Sequence, residues 1–156
     1  MQEASGFRDT PDELFRFLVA ASGPGADEEK IRPYCDESVA LFHWLEQQGL
    51  PFKRSFYEEP GMESMTDDCL VWSGGENCAP YASLAVPAPR GHKPQTEGKA
   101  GPFLMQKVLE ATARREARIE TDTLCETLIV ASDGREVGGV SRTAGAERCV
   151  RARGGV

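Results

Sequence analysis

Apolar residues recur at three- and four-residue spacing in two stretches near the start of the chain. In the first stretch Thr10 offers an N-cap hydroxyl, a proline follows at the first helical position, and Glu13 completes a capping box. The second stretch begins at Ala26 or Asp27 and meets a stop signal at Gly49. The apolar positions are Leu14, Phe17, Leu18 and Ala21 in the first, and Ile31, Tyr34, Val39, Phe42 and Leu45 in the second. The pattern predicts two amphipathic helices with a Gly-Pro-Gly break between them.

Between residues 50 and 101 neither a helical nor a two-residue period survives. Prolines and glycines are frequent there, and a segment of this length without regular structure in a compact domain is more often functional than idle. Its aromatic residues distinguish it from a solvated linker. They are Phe52, Phe56, Tyr57, Trp72 and Tyr81. We therefore interpret the segment as an ordered, irregular wall of a binding site.

Regular patterns return after residue 101. A third helix is predicted from Pro102 to Glu116, with basic residues at its negative end. Short strands are predicted at Arg118–Glu120, Leu124–Val130, Val137–Val140 and Cys149–Ala152, with turns at 132–135 and 143–145. The predicted fold class is α+β: a helical cap with a long ordered loop region, followed by a helix and an antiparallel β-meander. We predict two regions, residues 1–100 and residues 101–156.

Composition and charge remove several classes of function. Lys and Arg number 18 against 25 Asp and Glu, so the 156-residue chain has a formal net charge of −7. Such a surface repels phosphate backbones, which disfavours a nucleic-acid partner, and no apolar run approaches the roughly 20 residues of a membrane span. Five cysteines without a C-x-x-C pair favour reduced thiols in a cytoplasmic protein and predict no metal site.

The sequence contains no dinucleotide- or phosphate-binding glycine motif and no nucleophile elbow. One cluster stands out: Pro87–Pro94 is a proline-framed loop that presents Arg90, His92 and Lys93. A rigid loop of this kind can bind a carbonyl or carboxylate oxygen or transfer a proton. The alternative is a basic loop that pairs with acidic neighbours. A second cluster, Trp72–Asn77, predicts either a polar site or a simple turn.

Several motifs occur in the same order as in a known flavoprotein family. They are Gly6-Phe7-Arg8-Asp9-Thr10, Tyr34-Cys35-Asp36-Glu37-Ser38, Trp44-Leu45, Gly49-Leu50-Pro51-Phe52-Lys53, Ser73-Gly74-Gly75-Glu76-Asn77, Pro87-Ala88-Pro89-Arg90-Gly91-His92 and the hairpin Asp133–Val140. The chain resembles the FAD-dependent 3-ketosteroid dehydrogenases of the fumarate reductase/succinate dehydrogenase-like superfamily, and the Δ4-(5α) branch most closely. The resemblance extends over almost the whole chain.

The resemblance implies an oxidoreductase with FAD as cofactor and a steroid-like small molecule as substrate, with hydride passing from a ring carbon to the flavin. Two other functions stay open. One is a fumarate-reductase-like enoate reductase, which would need more cationic groups to hold a dicarboxylate than one Arg-Gly-His-Lys loop supplies. The other is a non-catalytic cap or interaction domain that lacks the cofactor site.

The same resemblance implies roles for individual residues. Arg90, His92 and Pro94 match a block that places its histidine beside the substrate in fumarate-reductase relatives. Leu124 and Cys125 match the position where the family's backbone hydrogen-bonds the FAD adenine. Substrate contacts are expected at Arg90, His92, Tyr57, Trp72 and Tyr81, the aromatic members forming a wall suited to an apolar ring system.

Two features of the family have no counterpart in the sequence: the glycine-rich loop that holds the FAD pyrophosphate, and the catalytic tyrosines. The resemblance therefore implies an internal piece, with a substrate-binding cap at 1–100 and a partial flavin-domain region, a helix plus β-meander, at 101–156. We assign no catalytic residue to this chain and do not expect it to bind FAD alone. A cap parted from its flavin domain would expose an apolar face, which favours a homodimer.

Overall fold

The computed structural model describes residues 1–59, 63–72, 74–115 and 117–154. The chain divides into two compact units, Met1–Arg115 and Glu116–Val156. The division falls after the third helix; the functional regions 1–100 and 101–156 stay a prediction. Helices and antiparallel strands are both present, so the α+β class is confirmed.

Helix α1 spans Pro11–Ser22 and begins where the capping signal predicted. The hydroxyl of Thr10 accepts a hydrogen bond from the backbone N–H of Glu13 at 3.2 Å. Gly23 follows with a φ of 72°, in the left-handed region that favours glycine. Phe17 is the buried residue of the predicted apolar stripe, at 7% exposure.

Helix α2 spans Glu28–Gln47, and the carboxylate of Asp27 caps it by accepting from Lys30 N–H at 3.2 Å. The predicted buried stripe is partly wrong, because Tyr34 and Val39 are 58% and 61% exposed. The fully buried residue is Cys35, which lies between them around the helix axis. The face of α2 that is buried against the rest of the unit is therefore narrower than the apolar pattern predicted. Among the described residues, no helix combines the length and the apolarity that a membrane span requires.

The irregular segment between α2 and the next helix supplies most of the core of the first unit. Its buried members include Leu50, Ser64, Cys69, Leu70, Val71, Glu76, Ala85, Ala88, Pro89 and Lys93. Two short strands, β1 (Leu70–Val71) and β2 (Gly91–His92), pair antiparallel within it. The segment is thus ordered by burial rather than by repeating backbone structure.

Helix α3 spans Gly101–Arg114. Its predicted end at Glu116 lies outside the described residues. Ala111 is buried, whereas the apolar Leu109 is 47% exposed. The guanidinium of Arg114 donates to the carbonyl oxygen of Gln48 at 3.3 Å, which ties the end of α3 to the end of α2.

The second unit is an antiparallel meander in the order β3-β4-β5. Its strands are β3 (Thr123–Val130), β4 (Glu136–Thr143) and β5 (Ala146–Arg151). The predicted turns follow β3 and β4, with Gly134 and Gly145 at positive φ. The predicted strand Arg118–Glu120 is wrong: it pairs with no strand of the described chain, and its two end side chains form an ion pair.

One glycine of the meander has no room for a side chain. A Cβ built on Gly138 would lie 2.2 Å from the carbonyl oxygen of Val150 on the neighbouring strand. The adjacent Gly139 would meet its nearest atom, the carbonyl oxygen of Thr127, at 3.4 Å, an ordinary contact distance. Close approach of β4 and β5 therefore depends on glycine at position 138.

Candidate functional site

The β1–β2 ladder fixes the proline-framed loop against the core. His92 lies opposite Leu70 in the register, and the next residue, Lys93, donates its backbone N–H to the carbonyl of Cys69 at 2.8 Å. Gln95 then donates to the carbonyl of Pro51, also at 2.8 Å. Prolines fix φ, and these bonds fix the remaining backbone, so the loop presents its side chains from a rigid base.

His92 has a defined hydrogen-bonding state. Its Nδ1 lies 3.0 Å from the carbonyl oxygen of Arg90. A carbonyl can only accept, so Nδ1 carries the proton, and the neutral ring keeps a lone pair on Nε2. The ring packs edge-on against Phe42 of α2, with centroids 5.6 Å apart. Desolvation by this packing lowers the pKa of His92, although the Arg90 carbonyl and the charge of Asp9 act in the opposite direction.

His92 borders a surface hollow of about 290 Å³. The described residues that line it are Glu63, Val71, Gly91, His92 and Lys93. Of the residues expected to bind substrate, His92 lines the hollow. Arg90, Tyr57, Trp72 and Tyr81 are not among its described lining residues.

Arg90 is committed to another group. Its Nε and Nη2 each donate to a different oxygen of the Asp9 carboxylate at 2.8 Å. The two side chains are 7% and 9% exposed, so this is a buried bidentate pair. The guanidinium also lies over the ring of Phe17, 5.1 Å from its centroid, and its Nη1 is buried without a hydrogen-bond partner among the described residues. The alternative of a basic loop paired with an acidic neighbour thus describes Arg90, and its contact with substrate stays a prediction.

Glu76 joins the two clusters that the sequence singled out. Its carboxylate accepts from the N–H of Gly74 at 2.8 Å and from the N–H of Arg90 at 3.4 Å. The residue is 1% exposed. Ser73 of the same cluster lies outside the described residues. The Trp72–Asn77 turn therefore supports the loop of Arg90 and His92 rather than forming a separate site in the described structure.

Lys93 is a buried cation held by backbone groups. Its Nζ donates to the carbonyl oxygens of Ser64, Thr66 and Gly98, the last two at 2.6 and 2.8 Å. The residue is 4% exposed. Its three donors cross-link residues 64–66 to Gly98, so Lys93, which lines the hollow, is fixed through the backbone.

The predicted aromatic wall separates into different groups. Tyr81 packs edge-on against Phe17 with centroids 5.5 Å apart. Trp72 packs in the same way against Phe7, at 5.4 Å. The described contacts of Tyr57 are those of its backbone, which donates to the carbonyl of Leu70 at 2.9 Å. The contact of these three aromatic residues with substrate stays a prediction.

Sequence reasoning missed the acidic residues around the loop. Asp9 stands 81 positions before Arg90, and no periodicity links them. Glu63 follows the residues at 60–62 that the structure does not describe, and its Oε1 accepts from Ala100 N–H at 2.7 Å. The basic loop was the one sequence signal for these acidic residues, because a buried cation requires an acidic or polar partner.

Leu124 and Cys125 lie on β3, at an edge of the meander. Leu124 is 63% exposed and Cys125 is exposed. In the described sheet β3 pairs on one side, with β4, so main-chain groups on its other side are available to a planar heterocycle. The contact of these two residues with an adenine stays a prediction, and the sequence supplies no glycine motif for a pyrophosphate. The described residues contain no group of three side chains that could hold a metal ion.

The solved structures include close and distant relatives. A 3-ketosteroid-Δ4-(5α)-dehydrogenase from Rhodococcus jostii RHA1, solved in complex with 4-androstene-3,17-dione, is 47% identical with a TM-score of 0.91. The match covers 97% of this chain and 33% of the dehydrogenase, so the chain spans a third of that protein's length. A flavocytochrome c3 fumarate reductase in an open conformation is 15% identical with a TM-score of 0.72, over 97% of this chain and 23% of the reductase. At that identity the reductase shows a shared fold.

A comparison with curated proteins gives no match. A family model described as "FAD binding domain" matches residues 1–156. Because the match extends over the whole chain and FAD is the cofactor of the matched family, this chain belongs to the FAD binding domain family of flavoproteins.

Proposed function

We propose that the chain supplies the substrate-binding part of an FAD-dependent dehydrogenase that acts on 3-ketosteroids. The supporting observation is the 47% identity and the TM-score of 0.91 to the Rhodococcus dehydrogenase over 97% of the chain. When bound, FAD supplies the acceptor for the hydride that leaves the steroid ring.

The charges around the hollow favour a neutral substrate over a dicarboxylate. Arg90 gives two of its nitrogens to Asp9, and Lys93 gives its ammonium to three carbonyls. The hollow also contains the carboxylate of Glu63. A dicarboxylate would therefore meet an acidic group and two cations already in use, whereas an uncharged ring system would not. This is the argument against the enoate reductase.

In this proposal His92 contacts the substrate from the hollow, and Tyr57, Trp72 and Tyr81 contact its apolar rings. Arg90 serves the same site, and Leu124 and Cys125 meet the adenine of FAD through their backbone. The neutral His92 accepts a hydrogen bond at Nε2, and the protonated ring donates one. The Val71 side of the hollow supplies apolar surface.

The test is a titration of the ¹⁵N-labelled chain with 4-androstene-3,17-dione, followed by backbone chemical shifts. We expect the largest changes at Val71 and Gly91–Lys93. His92→Ala should weaken binding about five- to tenfold, the effect of losing the packing of the ring against the steroid. His43→Ala is the matched control, because His43 lies on α2 with its side chain 62% exposed.

Two outcomes would contradict the proposal and favour one of the other functions. Shifts produced by fumarate at the same residues, with none from the steroid, would favour the enoate reductase. No response to either ligand would favour the non-catalytic cap or interaction domain.

Two further properties belong to the same proposal. The five cysteines are unpaired thiols, which suits a reducing, cytoplasmic location. A homodimer stays a prediction, and light scattering of the purified chain checks it.

A further inference from the structure

A continuous set of contacts leads from Asp9 to His92. The Asp9 carboxylate accepts both Nε and Nη2 of Arg90 at 2.8 Å, along with Thr10 N–H at 3.0 Å and the Gln2 side-chain amide at 3.1 Å. The same Gln2 amide donates to the carbonyl of Pro89 at 3.0 Å. Asp9 therefore fixes the residue before Arg90 as well as the Arg90 side chain.

Arg90 is held through both its backbone and its side chain. Its N–H donates to Glu76 at 3.4 Å, and its Nη2 reaches back to the carbonyl of Val86 at 3.0 Å. Its own carbonyl oxygen accepts Nδ1 of His92 at 3.0 Å. The orientation of that carbonyl decides whether Nδ1 finds an acceptor.

This carbonyl determines which nitrogen of His92 faces a ligand as a base. With Nδ1 bonded to Arg90, the neutral ring presents an unprotonated Nε2. Without that bond the proton is free to move to Nε2, and the ring would then offer a donor instead of an acceptor. The two tautomers would recognise opposite groups on a substrate.

We propose that Asp9 is a positioning residue: through its bidentate pair with Arg90 it holds the Arg90 carbonyl that keeps His92 in the Nδ1–H tautomer, with Nε2 as a hydrogen-bond acceptor. The group that His92 recognises in its neutral state is then a hydrogen-bond donor, such as a hydroxyl or a bound water. What this acceptor does in turnover rests on the proposed function, whereas the tautomer itself does not.

Two other effects of Asp9 are separable from positioning. Asp9 could act on His92 through its charge alone, in which case a substitution would leave the tautomer unchanged. It could also serve folding alone, in which case a folded variant would keep the His92 tautomer. A direct readout of the tautomer distinguishes both from the proposal.

The experiment is long-range ¹H–¹⁵N correlation of the histidine rings in the full ¹⁵N-labelled chain at about pH 8, where neutral imidazole dominates. The chain has two histidines, so His43→Gln assigns the spectrum. The wild type should show a protonated Nδ1 and an unprotonated Nε2 for His92. Asp9→Asn should move His92 to a mixture in which the Nε2–H form becomes a major species.

Arg90→Lys gives a second variant that keeps the charge and the backbone carbonyl but loses the two-pronged pair, and we expect the same change in smaller measure. Asp9→Glu, which keeps the carboxylate but moves it by one methylene group, disturbs the two-pronged geometry with the smallest change and provides the decision if the other two do not fold. Asp12→Asn is the matched control, because Asp12 lies on α1 with its side chain 76% exposed and pairs with Arg32. It should leave the His92 tautomer unchanged.

The proposal is overturned if the wild-type His92 carries its proton on Nε2, or if the folded variants keep the wild-type tautomer. Neither result depends on a steroid. Failure of the chain to bind 4-androstene-3,17-dione would overturn the proposed function while leaving the tautomer measurement valid.

Discussion

At the scale of single residues, the polar side chains in and near the hollow are hydrogen-bonded to backbone atoms of neighbouring segments. Lys93 holds three carbonyls, Glu76 holds two N–H groups, and His92 holds the carbonyl of Arg90. Each side chain thus replaces hydrogen bonds that a helix or sheet would have supplied. The irregular segment stays ordered because its backbone groups are satisfied by side chains.

Lys93→Met should lower the free energy of unfolding by about 2 kcal/mol, because buried carbonyls would lose their donor. Urea denaturation measures the change as a lower midpoint at constant slope. Lys99→Met is the matched control, since Lys99 is exposed and close in sequence. Equal midpoints for the two variants would contradict a stabilising role for the Lys93 ammonium.

The stability of the chain should depend on His92 as the pH falls. Burial lowers the pKa of His92 in the folded state from its ordinary value of 6.5. The unfolded chain then binds a proton more readily, so this contribution is complete above pH 6.5 and is lost as the pH falls through the folded pKa. The stability advantage of the wild type over His92→Asn should therefore shrink from about pH 8 to about pH 5. Denaturation series at both values measure it, and an advantage that grows on acidification would contradict the sign.

The site was only partly predictable at this scale. His92 follows from the resemblance, and the paired state of Arg90 was one of two interpretations of a basic loop. Asp9 was not predictable as its partner, because a contact across 81 positions leaves no local pattern. The separation of Trp72 from Tyr81 likewise follows from tertiary packing, against Phe7 and Phe17 respectively.

At the scale of elements, capping residues and turn glycines were sufficient to predict helix starts and strand order. The Thr10 cap gave the start of α1, and the glycine turns gave the order of the meander. The strands β1 and β2 have two residues each, too short for any period to appear. The buried side of α2 was misjudged at Tyr34 and Val39, because apolar spacing does not report how wide a contact is.

Gly138→Ala should disrupt the pairing of β4 and β5, because its Cβ would fall 2.2 Å from the carbonyl oxygen of Val150. We expect a loss of about 2 kcal/mol, typical of overpacking. Hydrogen exchange of the Ala152 amide, which donates to Val137 at 2.8 Å, reports the change locally. Gly139→Ala is the matched control, and equal protection in both variants would contradict the steric argument.

At the scale of the whole molecule, the two units differ in how they are stabilised. The first encloses a core built largely from an irregular segment, whereas the second is a meander in which all of β5 and most of β3 are exposed. The α+β class and the element order were predictable, because each element has its own local signal. Which unit α3 joins has no such signal, because a helix sequence does not indicate which neighbour the helix packs against.

The chain should not retain FAD by itself. An exposed edge at Leu124 and Cys125 can meet an adenine, but the sequence has no glycine motif for the pyrophosphate. After incubation with FAD and desalting, we expect no flavin bands at roughly 370 and 450 nm. A yellow, stoichiometric complex would contradict this and would make a steroid turnover assay the next step.

The bond between Asp9 and Arg90 also has a consequence for how the chain folds. It closes a loop of 81 positions, while α1 and α2 meet across a short turn. Contacts between distant positions form late, because the entropy of closing the loop is lost before the contact forms. Weakening such a contact accelerates unfolding and leaves the rate of folding nearly unchanged. We therefore expect the buried pair to control how long the arranged His92 persists, rather than how fast it assembles.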